Sequence, residues 1–437
     1  MLFLKARKST RSDLFCQKEE TIPLKELRSL QLKKLKRIVS FVASKSLFYQ
    51  GKKNLSTRQS TFSTLREFSE VIPLTTKDDL LGNGIYENLC VPRNEISEIH
   101  FSSGTTNKPV YSLLSSRDIA IGNRYLARTW YMQGIRQDSI FAMFAQYGLF
   151  SAGLINHYAI QHIGSYVVPA SNCSVSRSFQ LLQNFQVDSC AAVASYYPYL
   201  LAMAEINNID LNKIKLKKMI AGGEPFTEKQ RLYIEQKFGS TLYDQYGLCE
   251  INTGLAGECD YKNGLHILAD YVYPEIIDPA TGSPLPDGSE GELVLTTFHK
   301  EASPLLRYRT GDITSINYDK CECGRTMPRI SRIKRRVSET LFYKGIKIEK
   351  PFVADLLEGL KDELNPYIWQ LQLDSIAGKD ELTLKICPLK NGTARDKIMD
   401  SIKQKIGFEF KISFFDSNEL VQMSNSKHRN FVDNRVR

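Results

Sequence analysis

Hydrophobic residues recur at helical spacing near the start of the chain. In residues 27–50 (LRSLQLKKLKRIVSFVASKSLFYQ), leucine, isoleucine, valine and phenylalanine alternate with basic residues in a helical pattern. This pattern predicts an amphipathic helix that buries its apolar face. A second, shorter helix is predicted in VIPLTTKDDLLG, because a threonine hydroxyl is a favourable cap for the first turn of a helix.

From about residue 96 the pattern changes to short apolar runs that alternate with helical segments. EISEIHF, SIFAMFA, SCAAVAS and LKKMIAGG have the length of strands, whereas RDIAIGNRYLARTWYMQG, SFQLLQNFQ and TEKQRLYIEQKFG have helical periodicity. Strands separated by helices predict an α/β fold with a largely parallel sheet. After residue 270 strands dominate, as in VYPEIID, ELVLTTF and LLRYRTGDI.

A domain boundary is predicted between residues 331 and 340, where the basic run RIKRR meets a new strand. Beyond it the pattern is strand, helix, two strands, helix and strand, which is typical of a compact α+β unit of about 100 residues. We therefore divide the chain into a large α/β domain, residues 1–337, and a small α+β domain, residues 338–437.

The distribution of charge excludes some classes of function. The 437 residues are 42% hydrophobic and 24% charged, as in soluble globular proteins. Residues 1–40 contain 11 Lys or Arg and 4 Asp or Glu, and residues 331–437 contain 20 and 15, so the positive excess lies at the two ends. A near-neutral body argues against a nucleic-acid-binding groove, although basic ends can attract phosphorylated ligands or an acidic partner.

The sequence predicts neither a secretory signal nor a membrane span. The opening residues MLFLKARKST place apolar residues before basic ones, the reverse of a signal peptide, and the nine cysteines are an odd number. We therefore expect a reduced, cytoplasmic location. Residues 139–176 contain no Lys, Arg, Asp or Glu, but polar residues and glycines interrupt them, so a polar-lined pocket within the core is expected there.

A hydroxyl-rich segment follows the strand predicted at EISEIHF. Residues 101–109, FSSGTTNKP, place two serines, two threonines, a glycine and a lysine in one short stretch. Hydroxyl and backbone N–H groups donate to phosphate oxygens, Gly104 lets the backbone approach closely, and Lys108 supplies positive charge. The spacing is not that of a Walker loop, and an ordinary Ser/Thr-rich turn has the same composition, so both interpretations stay open for this segment alone.

Three further glycine-bearing turns, each with a carboxylate, follow in order: AGGEP at 221–225, YDQYGLCE at 243–250 and YRTGD at 308–312. Together with SSGTTNKP, these blocks resemble those of the adenylate-forming superfamily of acyl-CoA ligases. Four other segments are similar to the phenylacetate–CoA ligase family: IPLTTKDDL at 72–80, QYGLFSAGLINHY at 146–158, ASY at 194–196 and CECGR at 321–325. The resemblance implies a large N-terminal domain of several subdomains and a small, mobile C-terminal domain.

The resemblance also implies roles for the residues of the four blocks. The ATP phosphates would be held by Ser102, Ser103, Gly104, Thr105, Thr106 and Lys108. The adenine would lie against Gly222, Gly223 and Glu224, with Tyr246 stacked on the base and Gly247 beside it. Glu250 would hold Mg²⁺ and Asp312 would accept from the ribose hydroxyls, which suits the preference of a hard cation for carboxylate oxygen. Without the resemblance, either acid would be interpreted as a turn cap.

In the small domain, the resemblance assigns roles to a lysine and to the hinge. Lys427, in SNSKHR, would stabilise charge at the reacting carboxylate and phosphate during adenylation. Arg336 matches the family and would contact the nucleotide, and Gly345 would pass the thiol arm of coenzyme A in the second step. The chain departs from the family at three positions: Asn107 in place of a loop glycine, Cys249 in place of a threonine, and Ser338 in place of the hinge aspartate.

The pocket for the carboxylic acid is expected in the uncharged stretch and at the end of a neighbouring strand. Its predicted walls are Tyr147, Phe150, His157, Ser195, Tyr196 and Ala221. Aromatic walls with few ionisable groups favour an apolar or aromatic acid, because a second charge on the acid would be desolvated without a partner. The alternative is that these aromatic side chains only fill the core behind the sheet.

Two tight turns offer ligands for a metal ion. Cys259 and His266 flank an Asn-Gly turn, and Cys321 and Cys323 flank a single residue. Two pairs of soft or borderline ligands that converge on one ion are typical of a closed structural zinc site. The spacing alone leaves buried free thiols as an equal alternative, and the resemblance favours zinc because some members of the family carry such a Cys/His site.

These observations predict an ATP-dependent, AMP-forming ligase that activates an apolar or aromatic carboxylic acid and transfers it to coenzyme A. The predicted cofactors are Mg²⁺ and a structural Zn²⁺, and a homodimer is compatible with the sequence. A second hypothesis is an adenylating enzyme that passes the acyl group to a carrier protein, an amine or a hydroxyl. A third is a nucleotide-binding scaffold without turnover, from which carboxylate-dependent exchange of pyrophosphate into ATP would distinguish an enzyme.

Overall fold

The fold is known from a computed structural model of the whole chain. It describes residues 14–51, 62–101, 109–171, 173–333, 335–336, 340–343, 346–360, 364–376, 379–388, 400, 410–415, 419 and 430–434. Helices and strands are numbered in chain order over these residues.

Five α-helices precede the first strand of the described chain. They are α1 Gln17–Glu20, α2 Leu24–Lys45, α3 Leu47–Gly51, α4 Leu65–Val71 and α5 Lys77–Leu81. The predicted amphipathic helix is α2, which buries Leu27, Leu35 and Val42 against the large domain. The predicted threonine cap is also confirmed: the Thr76 hydroxyl accepts from the Asp79 N–H and the Asp79 carboxylate accepts from the Thr76 N–H, which forms a capping box at α5.

A nine-stranded sheet forms the centre of the large domain, with strand order β13-β14-β9-β8-β7-β6-β5-β3-β4. Its strands are β3 Ile140–Met143, β4 Tyr166–Pro169, β5 Ser189–Val193, β6 Lys218–Gly222, β7 Thr241–Leu248, β8 Asn252–Glu258, β9 Leu265–Ile267, β13 Ile316–Asn317 and β14 Arg329–Ile330. The predicted parallel arrangement holds for the five neighbouring strands β4, β3, β5, β6 and β7. The other half is antiparallel, because β7, β8 and β9 are joined by short turns rather than by helices.

Helices cover both faces of the parallel half. They are α6 Ser116–Met132, α7 Ser151–Ile163, α8 Val175–Asn184, α9 Tyr196–Ile206 and α10 Glu228–Phe238. Alternate residues of each strand enter different cores: Phe141 and Met143 face the core of α6 and α7, whereas Ala142 faces the core of α8, α9 and α10. This alternation follows from the two-residue period of a strand and explains why the runs were apolar throughout.

Two smaller sheets flank the nine-stranded one. β1 Ile96–Phe101 and β2 Tyr111–Ser115 form an antiparallel pair. EISEIHF is therefore a strand, as predicted, but it pairs outside the parallel sheet. A four-stranded antiparallel sheet contains β10 Val272–Ile277, β11 Gly291–Thr297, β12 Tyr308–Thr314 and β15 Arg335–Arg336.

The last hundred residues contain a separate core. β16 Thr340–Tyr343 and β17 Ile346–Glu349 form a hairpin, followed by α11 Lys350–Glu358. A second sheet has the order β20-β19-β18-β21, with β18 Leu364–Ile376, β19 Lys379–Pro388, β20 Lys411–Phe414 and β21 Phe431–Asp433. The helix predicted at ARDKIMDSIKQKIG lies almost entirely outside the described residues. No helix of the described chain is long and apolar enough to cross a membrane.

A buried ion pair stabilises the contact between α6 and the strand-rich region. The Arg128 guanidinium donates two hydrogen bonds to the Asp270 carboxylate, at 2.6 and 3.0 Å, and both side chains are almost completely buried. Removal of one partner leaves the other charge in the core without compensation.

We expect Asp270→Ala to lower the free energy of unfolding by about 3–5 kcal/mol, because Arg128 stays buried without its acid. Guanidinium titration followed by tryptophan fluorescence measures the loss, since Trp130 lies on the same helix. The matched control is Glu70→Ala, which breaks an exposed pair with Arg66 and should cost no more than about 0.5 kcal/mol. Equal effects of the two substitutions would contradict this account.

Candidate active site

The carboxyl ends of the parallel strands meet at one edge of the nine-stranded sheet. From β3 the chain passes through α7 to β4 on one side, whereas β5, β6 and β7 lie on the other side of β3. The chain therefore adds strands in opposite directions on the two sides of the boundary between β3 and β5. Ligands of open α/β sheets bind at such a switch point, outside the carboxyl ends of the strands.

The glycine turn predicted to face adenine is found at the end of β6. Gly222 ends the strand, and a Cβ atom there would lie 3.1 Å from the Gln245 carbonyl oxygen of β7. Gly223 has a positive φ of 78°, which favours glycine. One oxygen of the Glu224 carboxylate accepts from the Ser195 N–H at 3.1 Å, and the other is buried without a hydrogen-bond partner among the described residues. The turn after β6 is thereby joined to the turn after β5.

Three of the predicted nucleotide residues are in direct contact. The Tyr246 hydroxyl donates to the Asp312 carboxylate at 2.7 Å, and the Arg336 Nε donates to its other oxygen at 2.7 Å. Asp312 is 1% exposed. Burial and the neighbouring carboxylate raise the pKa of Tyr246 well above its usual value, so the phenol keeps its proton and donates. Gly247 lies at the register shift between β7 and β8, directly after this tyrosine.

Glu250 lies in the turn after β7, at the wall of a cavity of about 240 Å³. Its carboxylate lies close to the phenol of Tyr308, whose pKa is raised by burial and by the charge of Glu250. Its backbone carbonyl accepts from the Lys300 ammonium at 2.6 Å, and the same ammonium donates to the Ser112 hydroxyl at 2.7 Å. Burial lowers the pKa of Lys300 to about 8. The predicted magnesium ligand is therefore fixed through its backbone.

The residues predicted for the acid pocket fall into two groups. The Tyr147 hydroxyl and the His157 Nδ1 are hydrogen-bonded at 2.8 Å, and the Phe150 ring packs edge-on against Phe101 at 5.6 Å. Burial lowers the pKa of His157, so its ring is neutral at pH 7. Tyr147 packs against the core of α6 and α7.

Tyr196 lies in the core on the opposite face of the sheet. Its ring is 5.2 Å from that of Phe144, and its hydroxyl is hydrogen-bonded to Ser178 at 3.1 Å. Ala221 belongs to the same core. The side chains of Tyr147 and Tyr196 are therefore not brought together, and Tyr196 has the surroundings of a core residue.

Several predicted residues lie outside the described part of the chain: Ser102, Ser103, Gly104, Thr105, Thr106, Asn107, Lys108, Ser338, Gly345 and Lys427. The ends of the hydroxyl-rich segment are nevertheless fixed. The Phe101 N–H donates to the Leu149 carbonyl at 2.9 Å, and the chain resumes at Pro109, which lines the same cavity as Glu250.

The four predicted metal ligands converge. The ligand atoms of Cys259, His266, Cys321 and Cys323 all lie within 4.8 Å of one another. The His266 Nδ1 lies 3.0 Å from the Met327 carbonyl, which can only accept, so Nδ1 carries the hydrogen and Nε2 faces the Cys323 sulfur at 3.4 Å. A histidine oriented in this way by a backbone carbonyl is typical of metal sites. The donor set and its geometry thus fit a tetrahedral ion.

Comparison with known proteins identifies the family. A family model described as AMP-binding enzyme matches residues 15–298. The chain is 30% identical over 436 residues to a phenylacetate-coenzyme A ligase of Thermus thermophilus, which covers 95% of this chain and 98% of that protein. A phenylacetate-coenzyme A ligase of Aromatoleum evansii is 33% identical, over 94% of this chain and 95% of the relative. The chain belongs to the AMP-binding enzyme family, among the phenylacetate–CoA ligases.

Solved structures support the fold of this phenylacetate–CoA ligase relative. A 2-hydroxyisobutyryl-CoA ligase in the postadenylation state superposes with a TM-score of 0.85 at 21% identity, over 98% of this chain and 93% of the other. The same ligase in its thioesterification state gives a TM-score of 0.74 at 22% identity, over 98% and 94%. The α/β architecture with a small C-terminal domain is therefore shared with adenylate-forming ligases.

Two contacts of this AMP-binding enzyme were not predicted from sequence. Lys300 donates to the Glu250 carbonyl and Tyr308 lies close to its carboxylate, and Lys300 is not part of a recognisable phosphate or metal motif. Lys300 is 50 residues from Glu250 and 188 from Ser112, so no local spacing indicates that they meet. Tyr308 belongs to the predicted YRTGD block, but its partner depends on the position of β12 relative to the turn after β7.

Proposed function

We propose that the chain is an ATP-dependent, AMP-forming ligase that joins an apolar or aromatic carboxylic acid to coenzyme A. One carboxylate oxygen of the acid attacks the α-phosphorus of ATP, and pyrophosphate leaves with the electrons of the broken P–O bond. The sulfur of coenzyme A then attacks the carbonyl carbon of the acyl-adenylate, the thiol proton passes to solvent, and AMP leaves. The contact of Tyr246, Asp312 and Arg336, in a chain of this family, carries the proposal.

In this proposal Asp312 accepts from the two ribose hydroxyls. A vicinal diol offers two donors at a fixed separation, and a carboxylate offers acceptors that match them. The hydrogen bonds from Tyr246 and Arg336 orient the carboxylate before the nucleotide arrives, which reduces the entropy lost on binding. The adenine lies against the backbone of Gly222, Gly223 and Glu224. Because two of these residues are glycines without a Cβ atom, the base can approach the backbone closely.

The triphosphate is held by the hydroxyl-rich segment and by Glu250. We propose that Ser102, Ser103, Gly104, Thr105, Thr106 and Lys108 donate to its β- and γ-oxygens, and that Glu250 is a ligand of Mg²⁺, which neutralises charge on the leaving pyrophosphate when it is bound. Lys427 of the small domain, residues 338–437, stabilises the charge that develops at the carboxylate and α-phosphate. Between the half-reactions this domain rotates about Ser338 and brings Gly345 to the thiol arm of coenzyme A.

Lys427→Ala is expected to slow adenylate formation by ~100-fold or more, because the lysine acts on charge that develops only in that step. Carboxylate-dependent exchange of pyrophosphate into ATP measures this step, and transfer from preformed acyl-adenylate to coenzyme A measures the next, which should be unaffected. Lys411→Ala, at an exposed lysine of the same domain, is the matched control and should leave both steps unchanged.

The contrasting variant is Asp312→Ala, which should weaken nucleotide binding in both half-reactions. Equal losses in both steps for Lys427→Ala would overturn the proposed role of the lysine. If the wild-type chain shows no exchange with any carboxylate, the hypothesis of a nucleotide-binding scaffold is favoured. If the acyl group is transferred only to a carrier protein, an amine or a hydroxyl, that group rather than coenzyme A is the acceptor.

The acid is expected to lie against Tyr147, Phe150 and His157, where the uncharged stretch leaves the end of β3. The neutral His157 and the half-buried phenol of Tyr147 provide hydrogen-bonding groups without net charge. An aromatic ring packs well against such a surface, whereas a second carboxylate or an ammonium would lose its hydration without gaining a partner. Ser195, Tyr196 and Ala221 would border the pocket through backbone atoms at the ends of β5 and β6.

Tyr147→Ala is expected to change the ratio of the pyrophosphate-exchange rates with aryl and with short aliphatic acids by ~10-fold or more. The KM for ATP should stay the same, because the tyrosine is proposed to contact only the acid. Tyr147→Phe keeps the ring and loses the bond to His157, so it should alter the ranking less. Tyr166→Ala, at an exposed tyrosine, is the control. Loss of stability with an unchanged ranking would show that the pocket is misplaced.

We also propose that the Cys/His cluster binds one structural zinc ion, in keeping with a reduced, cytoplasmic location. The purified chain should contain about one zinc, with Zn–S distances of ~2.3 Å and Zn–N distances of ~2.0–2.1 Å by X-ray absorption. Cys323→Ser should remove the metal and lower the thermal midpoint, with a smaller effect on KM for ATP. Cys173→Ser, at a cysteine with no ligand spacing, is the control, and a wild-type chain without metal would refute the site.

A further inference from the structure

A buried lysine connects two parts of the proposed active site. Lys300 lies in the loop after β11 and is 4% exposed. Its ammonium donates to the Ser112 hydroxyl at 2.7 Å and to the Glu250 carbonyl at 2.6 Å. Ser112 belongs to β2, the strand that follows the hydroxyl-rich segment, whereas Glu250 is the proposed magnesium ligand. One ammonium therefore joins β2 to the turn that carries Glu250.

The backbone around this lysine is held rigidly. The Asp118 carboxylate accepts from the N–H groups of Glu301 and Ala302, at 2.6 and 3.0 Å, and from the Ser115 N–H at 3.0 Å. The Ser115 hydroxyl in turn donates to the Glu301 carboxylate at 2.8 Å. Because Ser115 ends β2, the loop that carries Lys300 and the strand that carries Ser112 form one unit.

No carboxylate contacts the Lys300 ammonium, although the charges of Asp118 and Glu250 act on it from a greater distance. Among the described residues, no carboxylate oxygen lies within 4.0 Å of its ammonium, although several other buried cations of the chain have such a partner. Both hydrogen-bond acceptors of Lys300 are neutral groups. A buried cation whose acids lie beyond contact distance keeps a positive potential in its immediate surroundings, which favours a polyanion there.

On the basis of the proposed function, we infer that Lys300 is a positioning residue for the adenylation step. It fixes the separation between β2 and the turn that carries Glu250, the proposed magnesium ligand. Its positive charge favours the triphosphate. A misplacement of about 1 Å between such groups costs up to ~100-fold in rate, so a single cross-link at this point has a measurable effect.

The test compares Lys300→Met and Lys300→Arg with the wild-type chain. We expect Lys300→Met to raise the dissociation constant of Mg·ATP, measured by calorimetry without acid, and the KM for Mg·ATP in pyrophosphate exchange by ~10-fold each. Transfer from preformed acyl-adenylate should stay within about twofold, because the pyrophosphate has already left. Lys300→Arg keeps the charge and the donors and should recover most of the loss.

The control is Lys218→Met, at a lysine whose ammonium also donates to a hydroxyl, that of Tyr243, but at the amino end of β6. It should leave Mg·ATP binding unchanged. If Lys300→Met loses Mg·ATP affinity no more than this control, or loses both half-reactions in proportion to its thermal midpoint, the lysine has a structural role only and the inference is wrong.

A milder variant keeps the inference testable if Lys300→Met does not fold. Ser112→Ala removes only the contact to β2 and should raise the dissociation constant of Mg·ATP by ~2–5-fold, and an unchanged constant would overturn the inference. Failure of the proposed function is recognised separately. In that case the wild-type chain shows no pyrophosphate exchange with any acid. The ratio of the Mg·ATP affinities of variant and wild type can still be measured, and it tests the role of Lys300 by itself.

Discussion

The need to compensate a buried carboxylate joins the main parts of this molecule. Asp312 lies on β12 of the four-stranded sheet, yet its two oxygens accept from Tyr246 on β7 of the nine-stranded sheet and from Arg336 on β15. An ionised carboxylate without partners would cost several kcal/mol in this interior, so this one charge links the two sheets, in addition to the backbone pairing of β12 with β15. The strand that precedes residues 338–437 is thereby anchored at the candidate nucleotide site.

The same constraint operates twice more around the site. Asp118 satisfies three backbone N–H groups where the loop of residues 299–302 meets the start of α6. Glu20 accepts from two backbone N–H groups at α1 and is paired with Arg325 beside the Cys/His cluster. In each case an acid binds segments that are distant in sequence, because burial makes each unmade hydrogen bond costly. The groups proposed to bind phosphate and metal are therefore positioned by buried acids that join distant segments, and not by loop conformation alone.

The two faces of the central sheet have different relations to chemistry. Tyr147 and His157 lie on the side of α6 and α7, close to the segment that leads into the hydroxyl-rich residues. Tyr196 lies on the side of α8, α9 and α10, within an apolar core. The predicted pocket residues therefore pack against two different cores, because successive residues of a strand face opposite sides of the sheet.

The sequence by itself determined the elements, the family and the close pairs of residues. Periodicity predicted α2, the strands β3, β5 and β6, and the helices α6, α8 and α10, because an apolar face must repeat with the period of its element. It did not predict β4, and residues 243–248, interpreted as part of a glycine-bearing turn, belong to β7. Four ordered blocks indicated an adenylate-forming ligase, and two short turns indicated that Cys259, His266, Cys321 and Cys323 would meet. Only the tertiary structure decided that β1 pairs outside the parallel sheet, that Tyr196 is a core residue, and that Lys300 contacts Ser112 and Glu250. These outcomes depend on which strands become neighbours and which face each side chain takes, and local spacing carries no information about partners that lie 50 to 188 residues away.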